Sequence, residues 1–131
     1  MAWLSRGRIQ LSGLLVPSLV LHSIGAKSGI ERVTPLMYCP ESGGRMLVTG
    51  SNFARENHPA WTVNLMAHPV ASVSVRGRRI AVVATRIPDD ELDETWRFIE
   101  RQWPGYRGYE RASGRTLRIF RLEAVEPGLE A

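Results

Sequence analysis

Gly25-Ala26-Lys27-Ser28-Gly29-Ile30-Glu31-Arg32 places two glycines, a serine and two cations within eight residues. Glycines let backbone N–H groups turn toward a ligand, a serine hydroxyl adds a donor, and Lys27 and Arg32 add positive charge; together they suit a phosphate. The spacing is not that of a P-loop, Gly-x-x-x-x-Gly-Lys-Ser/Thr. An ordinary glycine turn with solvated cations fits these residues equally well. A second segment runs from Ser51-Asn52-Phe53 through His58-Pro59-Ala60-Trp61 to Asn64-Leu65. A polar loop entering a helix offers backbone donors and the positive end of a helix dipole to the edge of a heterocycle. His58 has the chemistry of a general base, although a histidine beside proline more often caps or packs, and Trp61 reads first as a core aromatic. Asn64 is free to hydrogen-bond locally or across the fold.

Trp103-Pro104-Gly105-Tyr106-Arg107-Gly108-Tyr109 sets aromatics at a three-residue spacing between glycines. Such residues line a wall of an apolar pocket, where a tyrosine hydroxyl can donate a proton or a hydrogen bond; without further information, a simple aromatic lid on the core is the better account. Other chemistries lack their residues. There is no Gly-x-Ser-x-Gly elbow, no metal-spaced His/Asp/Glu cluster and no Gly-x-Gly-x-x-Gly fingerprint. Cys39 is the single cysteine, which excludes an internal disulfide and a cysteine zinc site. Its place at the end of an apolar run marks a buried thiol, not a nucleophile.

Short strands joined by hairpins must position these segments. Leu19 to Ile24 reads as a strand meeting Gly25, and Arg32 to Tyr38 as a second. Ser42-Gly43-Gly44 is a turn into Arg45 to Thr49. A helix is expected from Pro59 to Ala67, with Pro59 in its first position and Asn57 or His58 as cap. Ala71 to Val75 and Arg79 to Ile87 form a hairpin about Arg76-Gly77-Arg78, rich in β-branched residues. Asp89 or Asp90 then caps a helix whose Leu92, Thr95, Trp96 and Ile99 make an apolar stripe, ended by Pro104-Gly105. Leu117 to Ala124 is the last strand. About six strands with two or three short helices predict a mainly β fold, an antiparallel barrel with helical insertions.

The chain has 131 residues and a formal net charge of +4, suited to one domain whose partners are anionic; a merely soluble basic surface fits that charge as well. The expected division is an N-terminal extension over 1–18 and a single barrel domain over 19–131. Leu14 to Leu21 is far short of the roughly 20 apolar residues that span a bilayer. No small-residue cleavage site follows it, so it does not read as a signal peptide. The lack of an internal disulfide fits a cytoplasmic location, and Trp3, Leu4, Arg6 and Arg8 add the option of a peripheral contact with an anionic surface at the inner face of the membrane. The scattered basic residues and the absence of an RNP-like strand speak against nucleic acid.

Taken in order, Gly25-Ala26-Lys27-Ser28-Gly29…Arg32-Val33-Thr34-Pro35-Leu36, Ser51-Asn52-Phe53…His58-Pro59-Ala60-Trp61…Asn64-Leu65 and Trp103-Pro104-Gly105-Tyr106…Tyr109 resemble the deazaflavin-dependent nitroreductase family, over about Val20 to Glu123. The resemblance implies a split β-barrel of the FMN-binding-like kind. It implies coenzyme F420, in preference to FMN, and hydride transfer to a quinone or nitroaromatic acceptor. By the same resemblance Lys27 and Arg32 hold the cofactor's anionic tail, with Ala26, Ser28, Gly29 and Ile30 around it. Thr34 and Pro35 lie beside the ring system, Val48, Thr49, Gly50, Ser51 and Asn52 run along it, and His58, Pro59, Ala60 and Trp61 close that side. Tyr106 is the implied proton or hydrogen-bond donor and Ser51 a polar contact, with Tyr109 and Trp103 on the acceptor side and no metal. Ala26, Ala54 and Trp103 depart from the basic residue, glycine and tyrosine common in the family. A homodimer is an expectation. A binding protein without efficient turnover is the alternative, holding deazaflavin, a lipid-like ligand or FMN.

Overall fold

The computed structural model describes residues 8–11, 14–50, 58–114 and 116–125. In chain order these form β1 (Arg8–Leu11), β2 (Leu14–Ile24), β3 (Glu31–Met37), β4 (Cys39–Pro40), β5 (Met46–Thr49), α1 (Ala60–Ala67), β6 (Val70–Val75), β7 (Arg78–Arg86), α2 (Leu92–Gln102), α3 (Gly108–Ser113) and β8 (Ile119–Ala124). Every pairing is antiparallel, along the path β2-β6-β7-β8-β5-β4. β3 pairs back onto β2, and Tyr38, which alone separates β3 from β4, donates its N–H to the Pro17 carbonyl (3.1 Å). The bent stretch from Glu31 to Pro40 therefore closes a ring of six strands, as a mainly β split barrel requires. Because β4 reaches β5 only at Met46 and Leu47, the wall is open between β3 and the end of β5.

Strand alternation builds two cores from one wall. Met46 and Val48 of β5 and Phe120 and Leu122 of β8 face the barrel interior with Leu19, Leu21, Val73 and Val82. Leu47 and Ile119 face outward, onto Ile87 and the Leu92, Trp96 and Ile99 stripe of α2. α1 lies across the barrel mouth and sends Trp61 and Leu65 inside, with the Trp61 ring 6.0 Å from that of Phe120. Arg76 (φ 51°) and Gly77 (φ 83°) make the tight two-residue turn between β6 and β7, and Arg78 already belongs to β7.

Several boundaries differ from those read in the sequence. β2 begins at Leu14, not Leu19, because Pro17 stays within the strand, its carbonyl taking the Tyr38 N–H and its backbone aligned with Arg8 of β1. The expected division at residue 18 thus falls inside a strand. Pro59 is the cap residue of α1 and not its first residue, so His58 does not cap it; Asn57 lies outside the described residues. Neither Asp89 nor Asp90 caps α2, since both sit in a short 3-10 turn that follows Pro88. The last strand starts at Ile119 instead of Leu117.

Candidate functional site

The loop joining β2 to β3 is closed by its own backbone. The Gly25 N–H reaches the Ile30 carbonyl (2.9 Å), and the Gly29 N–H the Gly25 carbonyl (3.0 Å). Gly29 has φ +71°, and a Cβ on Gly25 would run into Ser28 Oγ and sit 3.2 Å from the Ile30 oxygen, so both glycines are demanded by the turn. Ser28 Oγ accepts the Ile30 N–H (3.1 Å) and keeps its own proton to give. The Ala26 N–H donates to Asn64 Oδ1 (2.9 Å), which ties the loop to α1.

Between this loop and α1 lies a groove of about 800 Å³, lined by Ala26, Lys27, Ser28, Arg32 and Thr34 on one side and by Ala60, Trp61, Val63 and Asn64 on the other. Two of the chemically suggestive segments therefore meet. Lys27 and Arg32 are exposed and make no ion pair among the described residues, while the neighbouring Glu31 is held by Arg79 (2.6 Å). Glu31 also lines the groove, but its carboxylate is engaged by Arg79 and not by Lys27 or Arg32. Asn64 is only 8% exposed. Its oxygen is committed to a backbone N–H, which leaves the NH2 end as the donor available to the groove. The sequence reading left Asn64 to hydrogen-bond locally or across the fold; it does so across the fold, and its i,i+3 spacing from Trp61 on one helix was the signal that it faces the groove.

The remaining sequence-derived residues are distributed unevenly. Gly29, Ile30 and Pro35 belong to the loop and β3 without lining the groove. Val48 is buried inside the barrel, and Gly50 is buried under α1, where a Cβ would come within 2.8 Å of Thr62 Cγ2. His58 and Pro59 are half-buried before α1 and do not line the groove. Ser51, Asn52 and Ala54 lie outside the described residues, as does the side chain of Tyr109. Tyr106 and Trp103 are not brought to the groove. Both are buried in the outer core, ring centroids 5.1 Å apart, with the Tyr106 ring 6.2 Å from that of Trp96. The Tyr106 hydroxyl shares a hydrogen bond with Thr49 Oγ1 (3.0 Å), at the end of β5 and two residues before Ser51.

Cys39 is fully buried, and burial together with Glu41 pushes its thiol up to about 12, so it is no nucleophile at neutral pH. Among the described residues no group of three His, Cys, Asp or Glu side chains is placed to hold a metal ion. No helix among them is long and apolar enough to cross a membrane.

The model of a family described as F420H(2)-dependent quinone reductase matches residues 5–124. The F420H(2)-dependent quinone reductase Rv1261c of Mycobacterium tuberculosis is 29% identical over 109 residues, which cover 81% of this chain and 72% of that protein. Two solved structures are similar at 28% identity. One, titled a domain-swapped dimer, has a TM-score of 0.70 over 82% of this chain and 80% of its own. The other, an F420-H2 dependent reductase (FDR-A), has a TM-score of 0.69 over 82% of this chain and 94% of its own.

Proposed function

The chain belongs to the F420H(2)-dependent quinone reductase family, oxidoreductases that use coenzyme F420, and from that premise we propose that the groove between the β2–β3 loop and α1 holds the cofactor for reduction of a quinone- or nitroaromatic-type acceptor. The observation that carries this placement is the pair of cations, Lys27 and Arg32, which have no carboxylate partner among the described residues and stand opposite the buried Asn64 amide. That donor set fits an anionic, phosphate-bearing tail. When bound, reduced F420 supplies the hydride that reduces the acceptor.

The chain's own residues bind, orient and shield. Lys27 and Arg32 attract the tail, and the Ser28 hydroxyl and the Asn64 NH2 give it directed hydrogen bonds. Thr34 and Trp61 form the polar and apolar walls beside the ring system. Gly50, Ser51 and Asn52, with His58, Pro59 and Ala60, are assigned to the side where β5 leaves the barrel wall. The acceptor is assigned to the end of β5 and not to the groove itself: there Thr49 holds the hydroxyl of the otherwise buried Tyr106, the proposed donor, with Ser51 as a polar contact and Tyr109 as a pocket wall. Trp103, packed edge-on against Tyr106, supports that ring.

Stopped-flow oxidation of reduced F420 by menadione tests the activity. Tight binding with no oxidation by any of several quinones and nitroaromatics would leave a binding protein instead. Calorimetric titration with F420 and with FMN tests the cofactor, and preferential FMN affinity overturns it. The dimeric title of one similar structure, and the edge of β3 that pairs with no other strand among the described residues, support a homodimer for this chain as well. Light scattering checks it, and a monomer at all concentrations would refute it. The assigned cytoplasmic location includes a peripheral contact through Trp3, Leu4, Arg6 and Arg8, outside the described side chains. Flotation with anionic vesicles should show it, and should lose it on deletion of residues 2–7.

A further inference from the structure

Two inward rows of the barrel wall end in arginine. On β7 the row through Val82 and Ala84 continues to Arg86, and on β8 the row through Leu122 and Phe120 continues to Arg118. Arg86 stands opposite Phe120, and Arg118 lies two residues before Phe120, so both side chains leave neighbouring strands on one face. The pairing persists past the strand end, through the Ile87 N–H to the Ile119 carbonyl (2.8 Å) and the Gly50 N–H to the Arg118 carbonyl (2.7 Å). Arg118 Nη1 donates to Thr62 Oγ1 in the first turn of α1 (3.2 Å). That turn contains no acidic residue and has no side-chain cap, so the positive end of the helix adds to the two guanidinium groups.

Three other arginines are paired with carboxylates. Arg121 grips Glu41 through both oxygens (2.7 and 3.0 Å), Arg107 pairs with Asp93 and Glu110, and Arg79 pairs with Glu31. Arg118 has no ion pair among the described residues, and Arg86 has only the largely exposed Asp89 at 3.7 Å. Partial burial and the charge of the exposed Arg86 pull the Arg118 guanidinium below its ordinary range. Two neighbouring guanidinium groups whose one carboxylate contact is long and solvent-exposed repel each other, and an anion between them relieves that repulsion.

We infer that Arg86 and Arg118 form a second oxyanion site at the barrel mouth beside the start of α1, built for a phosphate or carboxylate group. Neither arginine lines the groove of Lys27 and Arg32. The oxyanion comes from the acidic tail of the cofactor or from an anionic group on the acceptor.

Thermal unfolding with inorganic phosphate tests the site in a Lys27→Ala, Arg32→Ala background, which silences the groove. Millimolar phosphate is expected to raise the melting temperature. Adding Arg86→Gln should abolish that rise and leave the phosphate-free melting temperature equal or higher, because repulsion on Arg118 is relieved; Arg86→Lys should restore the response. No phosphate response in the background, an unchanged response with Arg86→Gln, or a lower phosphate-free melting temperature overturns the inference, the last because the arginine is then structural. In the otherwise native chain, two measurements identify the source. If the cofactor tail supplies the oxyanion, Arg86→Gln weakens F420 at least tenfold and spares the tail-less deazaflavin. If the acceptor supplies it, the acceptor KM rises with F420 affinity unchanged. A variant in which neither value moves shows an adventitious ion only and overturns the inference. The phosphate measurement stands whether or not the chain binds F420, so failure of this site is distinguishable from failure of the cofactor assignment.

Discussion

At the scale of single residues, the groove works through what each side chain has left to give after the fold has used it. Lys27 and Arg32 make no ion pair among the described residues, and the neighbouring Glu31 pairs with Arg79. Replacing both by alanine should weaken F420 binding at least tenfold, about 1.4 kcal/mol, measured by fluorescence titration; unchanged affinity would place the tail elsewhere. Asn64 has spent its oxygen on the Ala26 N–H and offers its NH2. Asn64→Asp keeps an acceptor for Ala26 but turns a donor into a negative charge facing the groove. It should leave the melting temperature nearly unchanged while reducing F420 affinity at least tenfold, and equal losses in both would make Asn64 merely structural. The cations and the glycines were legible in the sequence, because residue type alone carries their chemistry. The role of Asn64 was not, because its partner lies 38 positions away.

At the scale of elements, α1 sets the site by lying across the barrel mouth. It can approach because Gly50 has no Cβ: one would stand 2.8 Å from Thr62 Cγ2 and 3.4 Å from the Arg118 carbonyl. Gly50→Ala should cost roughly 1–3 kcal/mol by overpacking, read from urea unfolding, and an unchanged midpoint would mean that α1 moves freely. The tie between β5 and the turn after α2 is the Thr49–Tyr106 hydrogen bond. Tyr106→Phe should lower kcat with menadione at least tenfold while leaving F420 affinity within twofold. If affinity falls in step with rate, Tyr106 belongs to the cofactor site and is no donor. Alternation and turn residues made β2, β3, β5 to β8 and the two longer helices readable. β1 and the early start of β2 were hidden by Pro17, whose missing N–H reads as a break although its carbonyl serves the sheet. The caps differ from the sequence reading because Pro59 itself is the cap residue of α1, and because a 3-10 turn over Asp89–Glu91 precedes α2 and leaves Glu91 at its cap.

At the scale of the whole molecule, one wall serves two cores, and Cys39 reports on the outer one. Its folded-state thiol is raised from 9.0 to about 12. Below pH 9 the thiol is protonated in both states and its contribution to stability is complete. Above it the unfolded chain releases the proton first, so that contribution is lost as pH rises toward 12. Cys39→Ala should show a shallower alkaline loss in chemical denaturation, and identical slopes would mean the thiol is not held protonated. The sequence by itself determined the barrel class, the positive loop and the family, since these rest on residue type, local period and order along the chain. Only the tertiary structure decided that Gly25 to Arg32 meets Trp61 and Asn64 across a groove while Tyr106 and Trp103 pack on the outside of the wall. It also decided that Arg86 and Arg118 share one face. Each of these depends on strand register and on which side of a strand a residue points, and those are settled by long-range pairing that no local pattern encodes.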